Sequence, residues 1–306
     1  MALGISLSDE VYIMSQAGFA TRRVNLPISP TQRPRSIRAP REELEVKLAE
    51  LQRDYAELHT AVFEAGQVHR RLCAPRLVRY GDIEIASEIF AVRHLPGDFF
   101  TFKDVNNRAV IALGDICGKG LAAGMWTTHL VSLVGARAAV RSEPEVIVAG
   151  VNRDVCLTTS TVPLASLFVA RLDPAGGKLE YCSAGHPPAL LLRSNGQLET
   201  LSEGGLLLGV IPNAPYVRGS VDLGPGDVLL AYSDGVLETL NNAEEEFGLE
   251  RIKAKLRGAA LTRNDSASVK NNAESVLFSV LGAVQDFAAS HPLVDDLSLV
   301  IIRRDL

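Results

Sequence analysis

The sequence predicts an α+β fold, a layered sandwich of antiparallel strands and flanking helices preceded by a coiled-coil helix. Three observations predict it. Strand-length apolar stretches recur at 82–90, 98–103, 108–114, 165–172, 178–184, 188–193, 216–222, 227–232 and 297–303. Several are joined by short hairpin signals, KDVNNR, DPAGG and SNGQ, which favour antiparallel pairing over βαβ crossovers. Helical stretches at about 119–140, 143–159 and 273–290 fall between these runs of strands rather than alternating with them one by one.

Taken in chain order, residues 1–40 hold Pro27, Pro30, Pro34 and Pro40 among Arg22, Arg23, Arg33, Arg35 and Arg38, with no regular apolar spacing. They are expected to form a disordered, basic, Pro-rich arm. From Arg41 the texture changes. Leu44, Leu48, Leu51, Tyr55, Leu58, Val62 and Ala65 follow a 4-3-4-3-4-3 spacing. That is an a/d seam of about three heptads, so 41–72 is expected to be a coiled-coil linker that pairs two copies as a homodimer. An amphipathic helix packed on its own domain would carry the same stripe. After Pro75 the strand-rich domain begins and is expected to run over 73–306. Within it, Asn195-Gly196 suits a type I′ turn. Ser142 and Glu145 read as a capping box for the helix at 143–159. Residues 257–272 read as a polar loop.

Composition narrows the function. The 306 residues are 47% apolar and 22% charged, enough to bury a large core. With 31 basic and 36 acidic side chains the net charge is -5, which offers no broad cationic surface for nucleic acid or an anionic membrane. The cysteines Cys73, Cys117, Cys156 and Cys182 form no C-x-x-C pair, so neither a disulfide framework nor a thiolate zinc site is expected. No apolar run reaches the ~18 residues of a membrane span, and MALGISLSDE lacks the features of a signal peptide. The protein reads as cytoplasmic.

Four aspartates stand at strand ends or turns beside glycine or another aspartate: Asp98 in LPGDFF, Asp115 in LGDICGKG, Asp234 in YSDG and Asp295 in VDDLSLV. An all-oxygen donor set suits hard cations such as Mg²⁺ or Mn²⁺, and no clustered His or Cys argues for zinc. Any one Asp-Gly pair is an ordinary turn signal, so the case rests on the set.

In order, the motifs GDFFTF, GDICGKGLAAGMW, SAGHPPALLL, LLLGV, GDVLLAYSDGVLET, EEEFG and DDLSLVII resemble the PP2C-like serine/threonine phosphatases of the bacterial SpoIIE/RsbU type. The resemblance covers about residues 67–306. It implies an α/β/β/α sandwich of two antiparallel sheets with a two-ion Mn²⁺ or Mg²⁺ site at one edge. Carried over residue by residue, Asp115 is expected to bridge the ions, with Asp98, Asp234 and Asp295 and the backbone carbonyl of Ile116 completing the site. Asp296 matches the second, non-ligating position of the DD pair. Thr101 departs from the family pattern, where a second Asp is usual, and Pro96 replaces its first Gly.

The resemblance further implies hydrolysis of a phosphoserine or phosphothreonine by a metal-bound hydroxide, with a phosphorylated regulatory protein as substrate, typically an anti-anti-sigma factor of a partner-switching system. Two alternatives stay open at this point. One is a catalytically weak phosphoprotein-binding module that signals through its coiled coil; the other is a phosphatase for a small molecule. Lys119 reads equally as a phosphate contact or a solvated lysine. His186 is expected to be structural in its Pro-bounded turn rather than a general acid.

Overall fold

The computed structural model describes residues 41–72, 77–158, 164–175, 177–261 and 272–305. The arm expected over 1–40 lies outside the described residues, as do Cys73, Pro75 and most of the polar stretch after residue 261. By its contacts the chain divides after Asp54 into two compact units. The described part of the first is the opening of helix α1 (Arg41–Leu72), where Leu44, Leu48 and Leu51 are exposed.

The second unit carries the rest of α1 and then β1 (Leu77–Tyr80), β2 (Ile83–Phe90), β3 (Phe99–Asp104), β4 (Ala109–Ile116), α2 (Leu121–Val140) and α3 (Pro144–Thr158). There follow β5 (Ala165–Leu172), β6 (Lys178–Ala184), β7 (Ala189–Leu192), β8 (Leu198–Leu201), β9 (Gly204–Gly205), β10 (Gly219–Asp222) and β11 (Val228–Tyr232). The chain closes with α4 (Asp234–Glu238), α5 (Gly248–Leu261), α6 (Ala273–Ala288) and β12 (Leu297–Arg304). One sheet has the order β1-β2-β12-β11-β7-β8, the other β10-β6-β5-β4-β3, with β9 alongside β6.

Side-chain alternation explains the layering. On β12, Leu297, Leu299 and Ile301 enter a core shared with Val276, Val280 and Val284 of α6 and Ile252 and Leu256 of α5. The intervening Val300 and Ile302 enter a second core with Phe100, Ile111, Phe168 and Tyr181 of the facing sheet. That facing sheet turns Val110, Ala112, Leu167 and Val169 toward Leu130 and Val134 of α2 and Ile147 and Val151 of α3. Both faces of the central strands are therefore buried, which is why LSLVII and ASLFVARL read as continuous apolar runs instead of alternating ones. The result is the expected α/β/β/α sandwich.

Local details correct several expectations. The type I′ geometry sits at Asn106 and Asn107, with φ of 54° and 60°, where Val105 and Arg108 exchange both backbone hydrogen bonds. At SNGQ only Gly196 has positive φ, 88°; its N–H donates to Arg193 O at 2.9 Å, and Arg193 N–H donates to Gln197 O at 2.8 Å. This is the three-residue hairpin loop with glycine in the left-handed position. Ser142 is not the residue that opens α3, which starts at Pro144 with Glu143 O accepting from Val146 and Ile147 N–H; the Ser142 hydroxyl accepts from Arg171 Nη1 at 2.9 Å. Among the described residues a capping box forms instead with Asn272 and Ser275, at the start of α6. The expected loop over 257–272 begins later than predicted, since α5 continues to Leu261.

Candidate metal centre

The antiparallel pairing of β3 with β4 sets Phe99 opposite Gly114, so Asp98, just before β3, and Asp115, near the end of β4, lie at the same end of their sheet. In the other sheet Tyr232 pairs with Leu299. Asp234, which opens α4 after β11, and Asp295, just before β12, therefore share an end as well. The two pairs are electrostatic neighbours: Asp234, Asp295 and Asp296 all act on Asp115.

The charges are held at a cost. Burial, then the adjacent charge of Asp115, pushes the Asp98 carboxyl well above the usual carboxylate range. Burial likewise raises Asp115 to about 6 against a partly offsetting contact with Asp98, and raises Asp234 with help from Asp295. Asp98 is 2% exposed, and its Oδ2 has no hydrogen-bond partner. A buried carboxyl oxygen left without a partner, in a group that resists ionising, fits a site completed by a cation.

Backbone shape supports the same reading. A Cβ at Gly97 would come within 3.2 Å of Ile116 O and 3.4 Å of Asp115 Oδ1. The glycine thus leaves room beside a carbonyl and a carboxylate oxygen that face the same space. Among the described residues no three His, Cys, Asp or Glu side chains are gathered tightly enough to cage an ion as they stand. Asp295 is engaged instead by Lys119, whose Nζ lies 2.6 Å from Asp295 Oδ2 and also donates to Val294 O. The donor chemistry fits a hard divalent cation.

Asp296 has a different task. Its Oδ1 accepts from Val92 N–H at 2.8 Å and its Oδ2 from Gly97 N–H at 2.9 Å, so it ties down the segment leading into Asp98. Thr127, on α2, holds the same segment by donating to Gly97 O at 2.9 Å. Asp296→Ala is expected to lower stability by about 1–3 kcal/mol, because buried Gly97 N–H loses its acceptor. The loss should appear in urea melts, together with weaker Mn²⁺ binding as Asp98 drifts; unchanged melts and metal affinity would contradict the tie.

The raised carboxyl groups also set a pH dependence. Asp115 at about 6, against an ordinary 3.8, means that the folded, metal-free chain keeps a proton that the unfolded chain has released. The stability this contributes is complete below the unfolded value and is lost as pH rises through about 6. Metal-free wild type should therefore lose stability between about pH 5 and 7 relative to Asp115→Asn. Melts of the two proteins at both pH values check this; parallel pH profiles would contradict it.

His186 is buried, with Nδ1 2.7 Å from Ser166 Oγ, while its backbone N–H and C=O both bond Ser183 Oγ. Burial holds the imidazole down to about 3, so at neutral pH it carries no imidazolium proton for a leaving group. This agrees with the structural role expected for it. Thr101 is buried in β3 opposite Ala112. Sequence reasoning missed the anchoring role of Asp296 and the proximity of Glu238, whose carboxyl burial, Asp234 and Glu246 push up.

Comparison with known proteins bears on the whole arrangement. The profile of the Stage II sporulation protein E (SpoIIE) family matches residues 106–305, so Asp98 lies just before the matched span. Protein IcfG of Synechocystis is 27% identical over 206 residues, covering 58% of this chain and 32% of its own length. This chain thus spans about a third of that relative. Phosphoserine phosphatase RsbU of Bacillus subtilis is 24% identical over 251 residues, covering 81% of this chain and 71% of RsbU. Among solved structures, the SiaA-PP2C domain of Pseudomonas aeruginosa superposes with a TM-score of 0.71 at 16% identity, covering 82% of this chain and 99% of that one. The PP2C phosphatase domain of Bacillus subtilis SpoIIE, with a fragment of its regulatory domain, gives 0.61 at 18% identity, covering 76% and 63%.

Proposed function

Because the chain belongs to the Stage II sporulation protein E (SpoIIE) family and carries a PP2C-type phosphatase domain, we propose that it is a metal-dependent protein serine/threonine phosphatase acting on a phosphorylated regulatory protein. The observation that carries this reading is the buried, mutually repelling carboxylate set around Asp98 and Asp115, with one oxygen unpartnered. Asp98, Asp115, Asp234, Asp295 and the Ile116 carbonyl would hold two Mn²⁺ or Mg²⁺ ions. Such ions, when bound, supply positive charge for phosphoryl oxygens and lower the pKa of coordinated water.

The remaining residues serve that set. Asp296 and Thr127 hold the backbone of Gly97, and through it Asp98, at a fixed depth. Lys119 balances the charge of Asp295, which would be free to hold a metal ion if the lysine moved aside. On this reading the ligands stand at strand ends, where holding their orientation costs least at the moment of reaction.

RsbU is named a phosphoserine phosphatase, which supports phosphoserine as the target; an anti-anti-sigma factor of a partner-switching system is the bearer that the motif resemblance implies. The free thiols Cys117, Cys156 and Cys182 accord with action in the reducing cytoplasm. No helix among the described residues is long and apolar enough to cross a membrane. We assign 73–306 to catalysis and 41–72 to a linker that pairs two copies along the exposed seam of α1. Phosphate release from a chromogenic phosphate monoester in the presence of Mn²⁺ tests the enzyme assignment. Tight binding of a phosphoprotein without any release would support a signalling module instead.

A further inference from the structure

We propose that His59 and His94 form a second metal site, for a borderline transition-metal ion such as Zn²⁺, Ni²⁺ or Cu²⁺, separate from the carboxylate cluster. His59 lies on α1 and His94 on the segment between β2 and β3. Their Nε2 atoms are 3.2 Å apart, while the ring centroids are 4.9 Å apart with an interplanar angle of 88°. The nitrogens therefore face each other and the rings diverge from the point between them. Two imidazoles on one tetrahedral ion, at bonds of ~2.0–2.1 Å, would have nitrogens ~3.3 Å apart, close to what is seen.

The surroundings hold this geometry in place before any ion binds. Phe63 meets the His94 ring edge-on at 6.0 Å, and Tyr55 flanks His59 at 6.1 Å. About two turns past His59 on α1, a Cβ at Gly66 would lie 2.4 Å from His94 O. Glycine there lets the helix rest directly on the backbone of the second ligand, so the spacing of the two imidazoles is set by main-chain packing. Preorganised ligands bind without losing conformational freedom.

The two sites select different ions. Imidazole nitrogen favours Zn²⁺, Ni²⁺ and Cu²⁺, whereas carboxylate and carbonyl oxygens favour Mg²⁺ and Mn²⁺. No third His, Cys, Asp or Glu completes the pair among the described residues, and both rings are exposed, so solvent fills the other positions. His94 also lines a cleft of about 800 Å³, which gives an ion a path of entry. The consequence is mechanical. The segment that carries His94 is fastened at Val92 and Gly97 by Asp296, so an ion shared with His59 would pin α1 to the chain that delivers Asp98.

The test is calorimetric titration of the full chain with Zn²⁺ in a large excess of Mg²⁺, which occupies oxygen sites without competing for imidazole. Wild type should bind one equivalent that His59→Ala and His94→Ala each abolish and that His291→Ala, at a half-buried histidine elsewhere, retains. His59→Gln keeps a hydrogen-bonding side chain but no imidazole and should also lose the equivalent. With Cu²⁺ in place of Zn²⁺, electron paramagnetic resonance should show nitrogen coupling from two imidazoles, and Zn²⁺ should slow amide exchange over 91–97 in wild type but not in the His59 and His94 variants. Equal Zn²⁺ binding by wild type, His59→Gln and His94→Ala, or Cu²⁺ spectra without nitrogen coupling, would overturn the proposal and leave the pair as a hydrogen bond. None of these readouts depends on phosphatase activity, so they can fail while that assignment stands.

Discussion

Asp115→Ala is expected to leave the fold intact and lower phosphate release by about 10³-fold or more, the equivalent of about 4 kcal/mol in transition-state stabilisation. Asp115 is the carboxylate on which Asp98, Asp234 and Asp295 all act, so its removal unbalances the site more than any peripheral change. Asp234→Ala should behave alike. His186→Ala should cost less than about tenfold in turnover, because its imidazole is neutral and engaged with Ser166. The same substitution should cost stability of about 1–3 kcal/mol through the buried hydrogen bond it breaks. Steady-state turnover with saturating Mn²⁺, beside urea melts, checks the contrast. An inactive but folded His186→Ala protein would assign the histidine to catalysis.

The second large effect concerns assembly. Leu51 is 66% exposed and Leu58 63% exposed, one heptad apart in the same stripe of α1. Leaving such a stripe in water forgoes the burial free energy of several large side chains, which a second copy in parallel register would recover. Leu51→Glu with Leu58→Glu should therefore convert a dimer to a monomer, since each change puts an unpaired charge in the apolar seam. Light scattering reads the mass directly. Wild type that is monomeric across the micromolar range would remove the coiled coil from the account.

How far sequence carries the argument differs between the fold and the site. The central strands were legible because β11, β12, β5 and β4 are buried on both faces and show it as unbroken apolar runs. Helix α5 was partly hidden, since among the described side chains of RIKAKLRGAA only Ile252 and Leu256 are fully buried anchors, set among basic residues. The short β1, β8 and β9 and the five-residue α4 carry too few residues for any periodicity to emerge.

The four aspartates were legible for a different reason. Each stands at a strand end beside glycine or aspartate, and their order along the chain follows a known pattern. What no local reading could supply was the tie from Asp296 to Val92 and Gly97, which spans 204 and 199 residues. The same holds for His59 and His94, brought together only when α1 packs on the segment before β3. The strength of the repulsion at Asp98 was equally out of reach, because burial is a property of the folded layers.

The most direct test of the central claim is phosphate release before chelation, after exhaustive chelation and after restoration of Mn²⁺, in wild type and Asp115→Ala side by side. The account predicts that chelation abolishes release from wild type, that Mn²⁺ restores it, and that Asp115→Ala stays inactive throughout. Release that survives chelation, or an Asp115→Ala protein restored by Mn²⁺ to wild-type turnover, would contradict it.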